Sequence, residues 1–370
     1  MPTHSTWECH LITALRDADL AALSAIVNSK PVSSAVLTAD SDMSYRFGAF
    51  YEWSDGTESD ARVERDHKSH VNHPHFAWLH SIGAKDGDGI LVIAQQAKRC
   101  LDEQEAPTTA QQTQKERMQT IVAFLADDWQ RRSKWEAFYA GSFAPHKPEV
   151  GTDPIEALPW RSKAPTSQLV EHLRATPLPA NARCIELGCG TGENLSVLAG
   201  AAAFACGVDV VADAVSASKA TLGAAGITNG QAVHADILAL HSADVAALAD
   251  GGGWAFDFLF DASTFHCVRR VDAQAAARAY SSLVRAGGSL LMLTGNADEA
   301  DERGPDRLTR DEVLHAFDGT ALVCESCEAV RYDWTEAYRR QPFEQPPLGW
   351  LSLWRSRPES PTAWLGADGV

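Results

Sequence analysis

One short run, Glu186-Leu187-Gly188-Cys189-Gly190-Thr191-Gly192, combines a carboxylate with three glycines where an apolar stretch gives way to a helical pattern. Glycines there let the chain turn tightly and approach a ligand, and the helix that follows offers free N–H groups. The spacing excludes two phosphate-binding loops. A dinucleotide turn needs glycine where Glu193 stands, and a P-loop needs a lysine followed by serine or threonine after the glycines. Glu193 at the start of the helix would also repel a pyrophosphate. A ligand with a cationic amine and no phosphate fits better, with Glu186 holding the amine directly or through water, and S-adenosylmethionine is such a ligand. Asp209, ending the next apolar run, can accept hydrogen bonds from both ribose hydroxyls. Asp236, in Ala235-Asp236-Ile237, can receive an adenine amino group while Ile237 packs on the ring. Each acid taken alone also reads as a helix cap or turn residue, and it is their order behind the glycines that points to a nucleoside.

Elements that would position these groups are legible around them. Apolar runs at Arg183 to Leu187, Ala203 to Val208, Gln231 to His234, Phe256 to Phe260 and Ser289 to Leu293 predict buried strands. Helical patterns fall at Ser167 to Ala175, Asn194 to Ala199, Ala212 to Gly223 and Asp272 to Val284, so strands and helices alternate as in an α/β sheet. Gly287-Gly288 reads as a break between the last of these helices and the fifth strand. Leu322 to Glu328 and Leu348 to Trp354 read as a closing antiparallel pair. Before residue 130 the pattern changes. Leu11 to Val27, Ile90 to Leu101 and Arg117 to Trp129 read as helices, and Glu103 to Lys115 as a polar linker.

The motifs resemble those of class I S-adenosylmethionine-dependent methyltransferases. Residues 186 to 192 are similar to the first motif of that superfamily, Phe256-Asp257-Phe258-Leu259-Phe260-Asp261 to its fourth-strand motif, and Arg285-Ala286-Gly287-Gly288-Ser289-Leu290 to the turn into its fifth strand. The likeness runs over about residues 130 to 370. Within the superfamily it is nearest to the thiopurine S-methyltransferase-like and thiol-methyltransferase-like branch. The residues carrying that likeness are Trp135-Glu136 with Tyr139, Leu158-Pro159-Trp160, Asp261 followed by Phe265-His266, Thr294-Gly295-Asn296 with Gly304-Pro305, and Gly349-Trp350-Leu351. The arginine of the family pattern after Pro-Trp falls on Ala164, which leaves Arg161 or Lys163 as candidates for the cofactor carboxylate.

What the resemblance implies is a doubly wound, Rossmann-like α/β sheet, mostly parallel with an antiparallel C-terminal strand, behind a mainly helical N-terminal extension. Residues 1–125 would form an accessory region, 126–165 a segment covering the cofactor, and 166–370 the methyltransferase domain. S-adenosylmethionine would be held by Trp160, Glu186, Gly188, Cys189, Gly190, Gly192, Asp209, Val210, Asp236, Ile237 and Asp261. His266 and Asp261 are the catalytic candidates. His266 reads either as an acid-base or acceptor-orienting group or as a packed histidine at a helix start, and Asp261 as a contact to the methionyl amine more than as a base. The acceptor would be a small molecule with a thiol or other soft nucleophile. A protein N-methyltransferase that recognises its partner through the N-terminal region, and a non-catalytic cofactor-binding scaffold, are the alternatives. Protein N-methyltransferases usually show an Asp-Pro-Pro-Tyr-like or Asp-Lys-Gly-Thr-like run after the fourth strand, and Asp261-Ala262-Ser263-Thr264-Phe265-His266 matches neither well.

Composition narrows the partners. With 32 basic against 49 acidic residues the chain carries a net charge of −17, which repels nucleic acid and anionic membranes. No apolar run of membrane-spanning length occurs, and Met1 to Cys9 has neither a basic start nor an apolar stretch, so the cytosol is the expected compartment. Eight cysteines in 370 residues lack a regular framework and read as reduced thiols. Cys189 and Cys267 flank the expected site, and Cys324-Glu325-Ser326-Cys327 forms a C-x-x-C. His67, His70, His73, His75 and His80 read as a solvated loop, so no metal site is expected. Trp334, Trp350 and Trp354 read as pocket lining or as core. The oligomeric state is not legible in the sequence.

Overall fold

The structure is a computed structural model that describes residues 14–29, 81–82, 90–104, 107–141, 148, 151–240, 256–299, 307–340 and 344–357. The chain divides into two compact units, Met1–Ile155 and Glu156–Val370. The five histidines from His67 to His80 lie outside the described residues.

The first unit is helical, with α1 (Leu20–Ser29), α2 (Ile90–Asp102), α3 (Thr109–Asp128), a π-helical turn (Trp129–Ser133) and α4 (Lys134–Tyr139). Its core gathers Leu15, Leu23, Ile93, Ala94, Ala97, Met118, Ile121 and Leu125. Two expectations are corrected here. The helix expected from Leu11 to Val27 is interrupted, because Ala18 takes a φ of +51° and Asp19 Oδ1 restarts the helix by accepting from Ala21 N (3.1 Å) and Ala22 N (3.0 Å). The expected linker from Glu103 to Lys115 is helical from Thr109 onward. Thr108 and Gln111 cap each other reciprocally, Thr108 N donating to Gln111 Oε1 (2.8 Å) and Gln111 N to Thr108 Oγ1 (3.3 Å), so a polar stretch can start a helix.

The second unit is built on an eight-stranded sheet: β1 (Arg183–Leu187), β2 (Phe204–Asp209), β3 (Gly230–His234), β4 (Phe256–Ala262), β5 (Val284–Asn296), β6 (Arg307–Leu308), β7 (Leu322–Arg331) and β8 (Leu348–Ser356). The order is β3-β2-β1-β4-β5-β8-β7, with β6 beside the end of β5. β1 to β6 pair in parallel, and β8 runs antiparallel to both β5 and β7. Between the strands lie α5 (Ser167–Ala175), α6 (Glu193–Ala201), α7 (Ala212–Ala224), α8 (Phe265–Val268), α9 (Ala273–Leu283), α10 (Arg310–Leu314) and α11 (Glu336–Arg339).

Strand residues alternate between two cores, as the pleat requires. Ile185, Leu187, Leu259, Leu290 and Met292 meet Tyr280, Val313 and Phe317 on one face. Cys184, Phe258, Phe260 and Leu291 meet Leu169, Leu173, Leu195, Leu198 and Leu222 on the other. Both faces are covered, which is why these strands read as continuous apolar runs. Strand order reverses beside β1, where β2 lies on one side and β4 on the other, and the crevice beyond the strand ends at such a point is where open α/β sheets bind ligands.

The Gly287-Gly288 pair does not separate helix from strand as expected. β5 already begins at Val284, which pairs with Phe256, and pairing resumes at Ser289 opposite Phe258. The glycines sit in a bulge inside the strand. Gly287 takes a φ of +75°, and a Cβ on Gly288 would lie 2.9–3.0 Å from three backbone carbonyl oxygens.

Candidate active site

The glycine run forms the turn from β1 into α6. Gly188 N and Cys189 N both donate to Val208 O (2.7 and 3.0 Å), which ties the turn to the end of β2. Gly188, Gly190 and Gly192 take φ values of +70°, +51° and +88°, the left-handed region that favours glycine. Space demands glycine too. A Cβ at Gly188 would sit 1.9 Å from Thr264 Oγ1, and one at Gly192 would sit 2.9 Å from the Cα of Ser218. Cys189 is buried against Gly207, and burial pushes its thiol well above the usual range, so it is an inert packing group.

Glu186 lies on the last turn of the pleat in β1, only 1 % exposed. Its Oε1 accepts from Asn194 Nδ2 (2.9 Å), while Oε2 is buried without a partner. Burial holds the carboxyl well above its usual range, and Glu193, Asp261 and Asp209 push it the same way. Asn194 is itself fixed, its Oδ1 accepting from Thr166 N (2.7 Å). The chain before the sheet is thereby joined through Asn194 to Glu186.

Asp209 ends β2 and uses its carboxylate to hold the turn, accepting from Gly190 N (2.9 Å) and Val211 N (2.9 Å). Val210 is half-buried, and its carbonyl faces His234 Nε2 at 2.9 Å. Ala235 N donates to Asp209 O (3.0 Å), so the exit of β3 is drawn to the same place. There Asp236 caps a 3-10 turn (Ile237–Ala239) by accepting from Leu238 N (2.8 Å), and Ile237 is buried. Trp160 is exposed. Arg161 pairs with Glu156 and with Glu193 (3.4 Å), and Lys163 pairs with Glu156 (2.5 Å), so both candidate cations are held by acids of this chain.

Beyond β4 the chain turns sharply through Ser263, which takes a φ of +72°. Asp261 shapes this turn. Its Oδ1 accepts from Thr264 N (3.0 Å), and its Oδ2 from Phe265 N (2.9 Å) and Tyr280 Oη (2.5 Å). The carboxyl is fully buried and pushed up to about 7 by burial, against the pull of these donors. Its hydrogen bonds are therefore to the loop and to α9. His266, in α8, is 1 % exposed, and its Nδ1 accepts from Gly295 N (3.4 Å). With Nδ1 facing an amide N–H, the ring proton belongs on Nε2 and the ring offers no basic lone pair on that side.

Ser263 N donates to Leu293 O (2.9 Å) and its hydroxyl to Tyr332 Oη (3.1 Å). Tyr332 opens the connection between β7 and β8. The next residue, Asp333, binds the start of α5 by accepting from Ser167 N (2.8 Å) and Ser167 Oγ (2.7 Å). Asn194, Tyr280, Tyr332 and Asp333 are not legible as site residues in sequence, because each acts through a partner remote in the chain. Thr264 and Ser263 carry one signal, their place just after Asp261.

Other candidates fall away from the site. Trp350 and Trp354 are core residues whose ring N–H groups donate to Leu308 O (2.9 Å) and Ser352 Oγ (2.9 Å). Cys324 and Cys327 lie on β7, far along the sheet from β1, as free thiols.

Compared with known families, residues 155–342 match the family profile described as thiopurine S-methyltransferase. No curated protein matches the chain. Among solved structures, one from work on converting a disulfide bond into a thioacetal group during echinomycin biosynthesis is 22 % identical. It covers 61 % of this chain and 93 % of its own, with a TM-score of 0.45. The N-methyltransferase NodS from Bradyrhizobium japonicum, in complex with S-adenosyl-L-homocysteine, is 17 % identical over 51 % of this chain and 84 % of its own (TM-score 0.37). A TehB-like SAM-dependent methyltransferase from Corynebacterium glutamicum is 14 % identical over 52 % and 86 % (TM-score 0.36).

Proposed function

We propose, from the premise that this chain belongs to the thiopurine S-methyltransferase family and is an S-adenosylmethionine-dependent methyltransferase, that it methylates a small-molecule thiol or other soft nucleophile at the ends of β1 and β4. The observation that carries the placement is Glu186. A carboxylate oxygen that is buried and unpartnered beside a left-handed glycine turn suits a cationic amine, whose arrival would both satisfy the oxygen and favour the ionised carboxylate.

The residues fit the cofactor. Glu186, oriented by Asn194, would take the methionyl amine, and Gly188, Cys189, Gly190 and Gly192 would offer bare backbone to the middle of the molecule. Asp209 uses one hydrogen bond at each oxygen for the turn, which leaves lone pairs for the ribose hydroxyls. Asp236 and Ile237, with Val210, would meet the adenine, and Trp160 would close over it. Because Arg161 and Lys163 already pair with Glu156, the cofactor carboxylate would have to share one of them. When bound, the cofactor supplies a methyl group on a cationic sulfur that departs as a neutral thioether.

The chain then has to align a nucleophile behind that carbon and exclude water, and such alignment can supply roughly 7–11 kcal/mol of a barrier. Asp261 and His266 act here as positioning residues. Asp261 fixes the turn that seats Thr264 on Gly188, and His266 joins that turn to the end of β5. A thiol partly ionised near neutral pH needs no strong base, consistent with a histidine whose Nδ1 is already engaged.

The test is incubation with methyl-labelled S-adenosylmethionine and a panel of small thiols, amines, halides and cell protein. Label should enter thiols, and Asp209→Ala should lower the incorporation at least about tenfold at subsaturating cofactor, as expected for loss of two hydrogen bonds to a charged acceptor. Label entering amines or protein, with none in thiols, would overturn the acceptor assignment.

A further inference from the structure

The loop after β4 and the connection after β7 meet at a pair of hydroxyls that cofactor binding does not use. Ser263 is a non-glycine residue in the left-handed region, a conformation that costs free energy and persists only where its surroundings impose it. Here they do, through Asp261 on Thr264 N and Phe265 N and through Leu293 O on Ser263 N. The effect of the turn is to aim Ser263 Oγ at Tyr332 Oη, 3.1 Å away. Two hydroxyls that share one hydrogen bond leave one of their two protons over, and with Ser263 donating it is the phenol's, for which no described residue is an acceptor.

The tyrosine is held in place. Its ring lies where a side chain at position 349 would be, 2.8 Å from the Cβ that Gly349 lacks, and its N–H donates to Pro347 O (2.9 Å). Asp333 anchors the same connection to Ser167. The neighbouring Thr264 touches Gly188, so the hydroxyl pair stands one residue away from the cofactor turn, just past the end of β4 where the acceptor is proposed to bind. Burial keeps the phenol protonated well above its ordinary range, which makes it a neutral donor and not a base.

The geometry points to Tyr332, aimed by Ser263, as the group that orients the methyl acceptor, donating to a lone-pair atom a few bonds from the nucleophile. This rests on the thiol-acceptor proposal above but is separable from it. The acceptor class it implies is a small molecule with a soft nucleophile beside a carbonyl or comparable hydrogen-bond acceptor.

Two probes separate that interaction from size, methyl 2-mercaptobenzoate with an ortho carbonyl and 2-isopropylthiophenol without one. Their binding to the full-length protein saturated with S-adenosylhomocysteine is measured by calorimetry, and their methylation by turnover. The ester should bind about fivefold more tightly, as one net hydrogen bond allows. Tyr332→Phe, which keeps the ring against Gly349, should abolish that preference while leaving S-adenosylhomocysteine affinity intact, and Ser263→Ala should reduce it. A preference that survives Tyr332→Phe, or no preference in the natural protein, overturns the assignment, as does absence of binding by both probes. Binding that discriminates through Tyr332 without turnover would uphold it and overturn the thiol proposal instead. Turnover without discrimination would do the reverse.

Discussion

Asp261 shows how much a single acidic residue leaves open. From sequence, a carboxylate at the end of the fourth strand suits a ligand amine or a capped loop equally well. What decides its surroundings is Tyr280, on α9, whose hydroxyl reaches Oδ2 at 2.5 Å while the amides of Thr264 and Phe265 take the remaining positions. Burial raises this carboxyl from its ordinary value to about 7. The folded state therefore binds a proton more readily than the unfolded chain between about pH 4 and 7, and the stability this group contributes is present at the acid end and lost as pH rises through 7. The expected result is that the unfolding free energy of the natural protein, minus that of Asp261→Asn, falls from pH 4 to pH 7 and levels off above. Denaturant titrations at half-unit pH steps would measure it, and a difference that rises over that window would contradict the burial argument. Glu186 was easier to read. Its place before three glycines carried the signal, whereas its orientation by Asn194 depends on a contact with Thr166 that no local pattern announces.

At the scale of elements, the strands were legible because a parallel sheet covered on both sides needs unbroken apolar runs, and five such runs stand in this chain. Their ends were less so. Gly287-Gly288 has the composition of a turn, yet Val284 has already found Phe256 and the chain must absorb extra residues before Ser289 meets Phe258. Only the pairing partner reveals this, so a bulge and a turn look alike in sequence. The distinction has a measurable consequence. At a turn, an alanine in place of Gly288 would be tolerated, but in the bulge its Cβ would press on the carbonyl oxygens of Phe256, Asp257 and Arg285 at 2.9–3.0 Å. Gly288→Ala should cost about 1–3 kcal/mol in chemical denaturation, in the range of backbone strain and overpacking. A cost below about 0.5 kcal/mol would mean that the bulge relaxes freely. Short elements such as β6 and α10 escaped the sequence reading because two to five residues carry too little periodicity to register. α10 is set mainly by a reciprocal cap between Thr309 and Glu312.

The whole molecule places its family signature in one part. The matched region begins at residue 155, and the second compact unit begins at Glu156. Both sheet cores draw on described residues from Leu169 to Trp354, while the helical core of the first unit draws on Ala14 to Leu125. Every side chain proposed to hold the cofactor, from Trp160 to Ile237, lies in the second unit, as do Glu156 and the cations it pairs with. A unit that owns both its cores and its ligand groups needs no residue from elsewhere to fold around them. A chain of residues 156–370 should therefore unfold in one cooperative transition and bind S-adenosylmethionine with a Kd within about tenfold of the full protein, since 1.4 kcal/mol is the tenfold step. A truncated chain that fails to fold, or that folds and shows no binding at millimolar cofactor, would contradict this expectation.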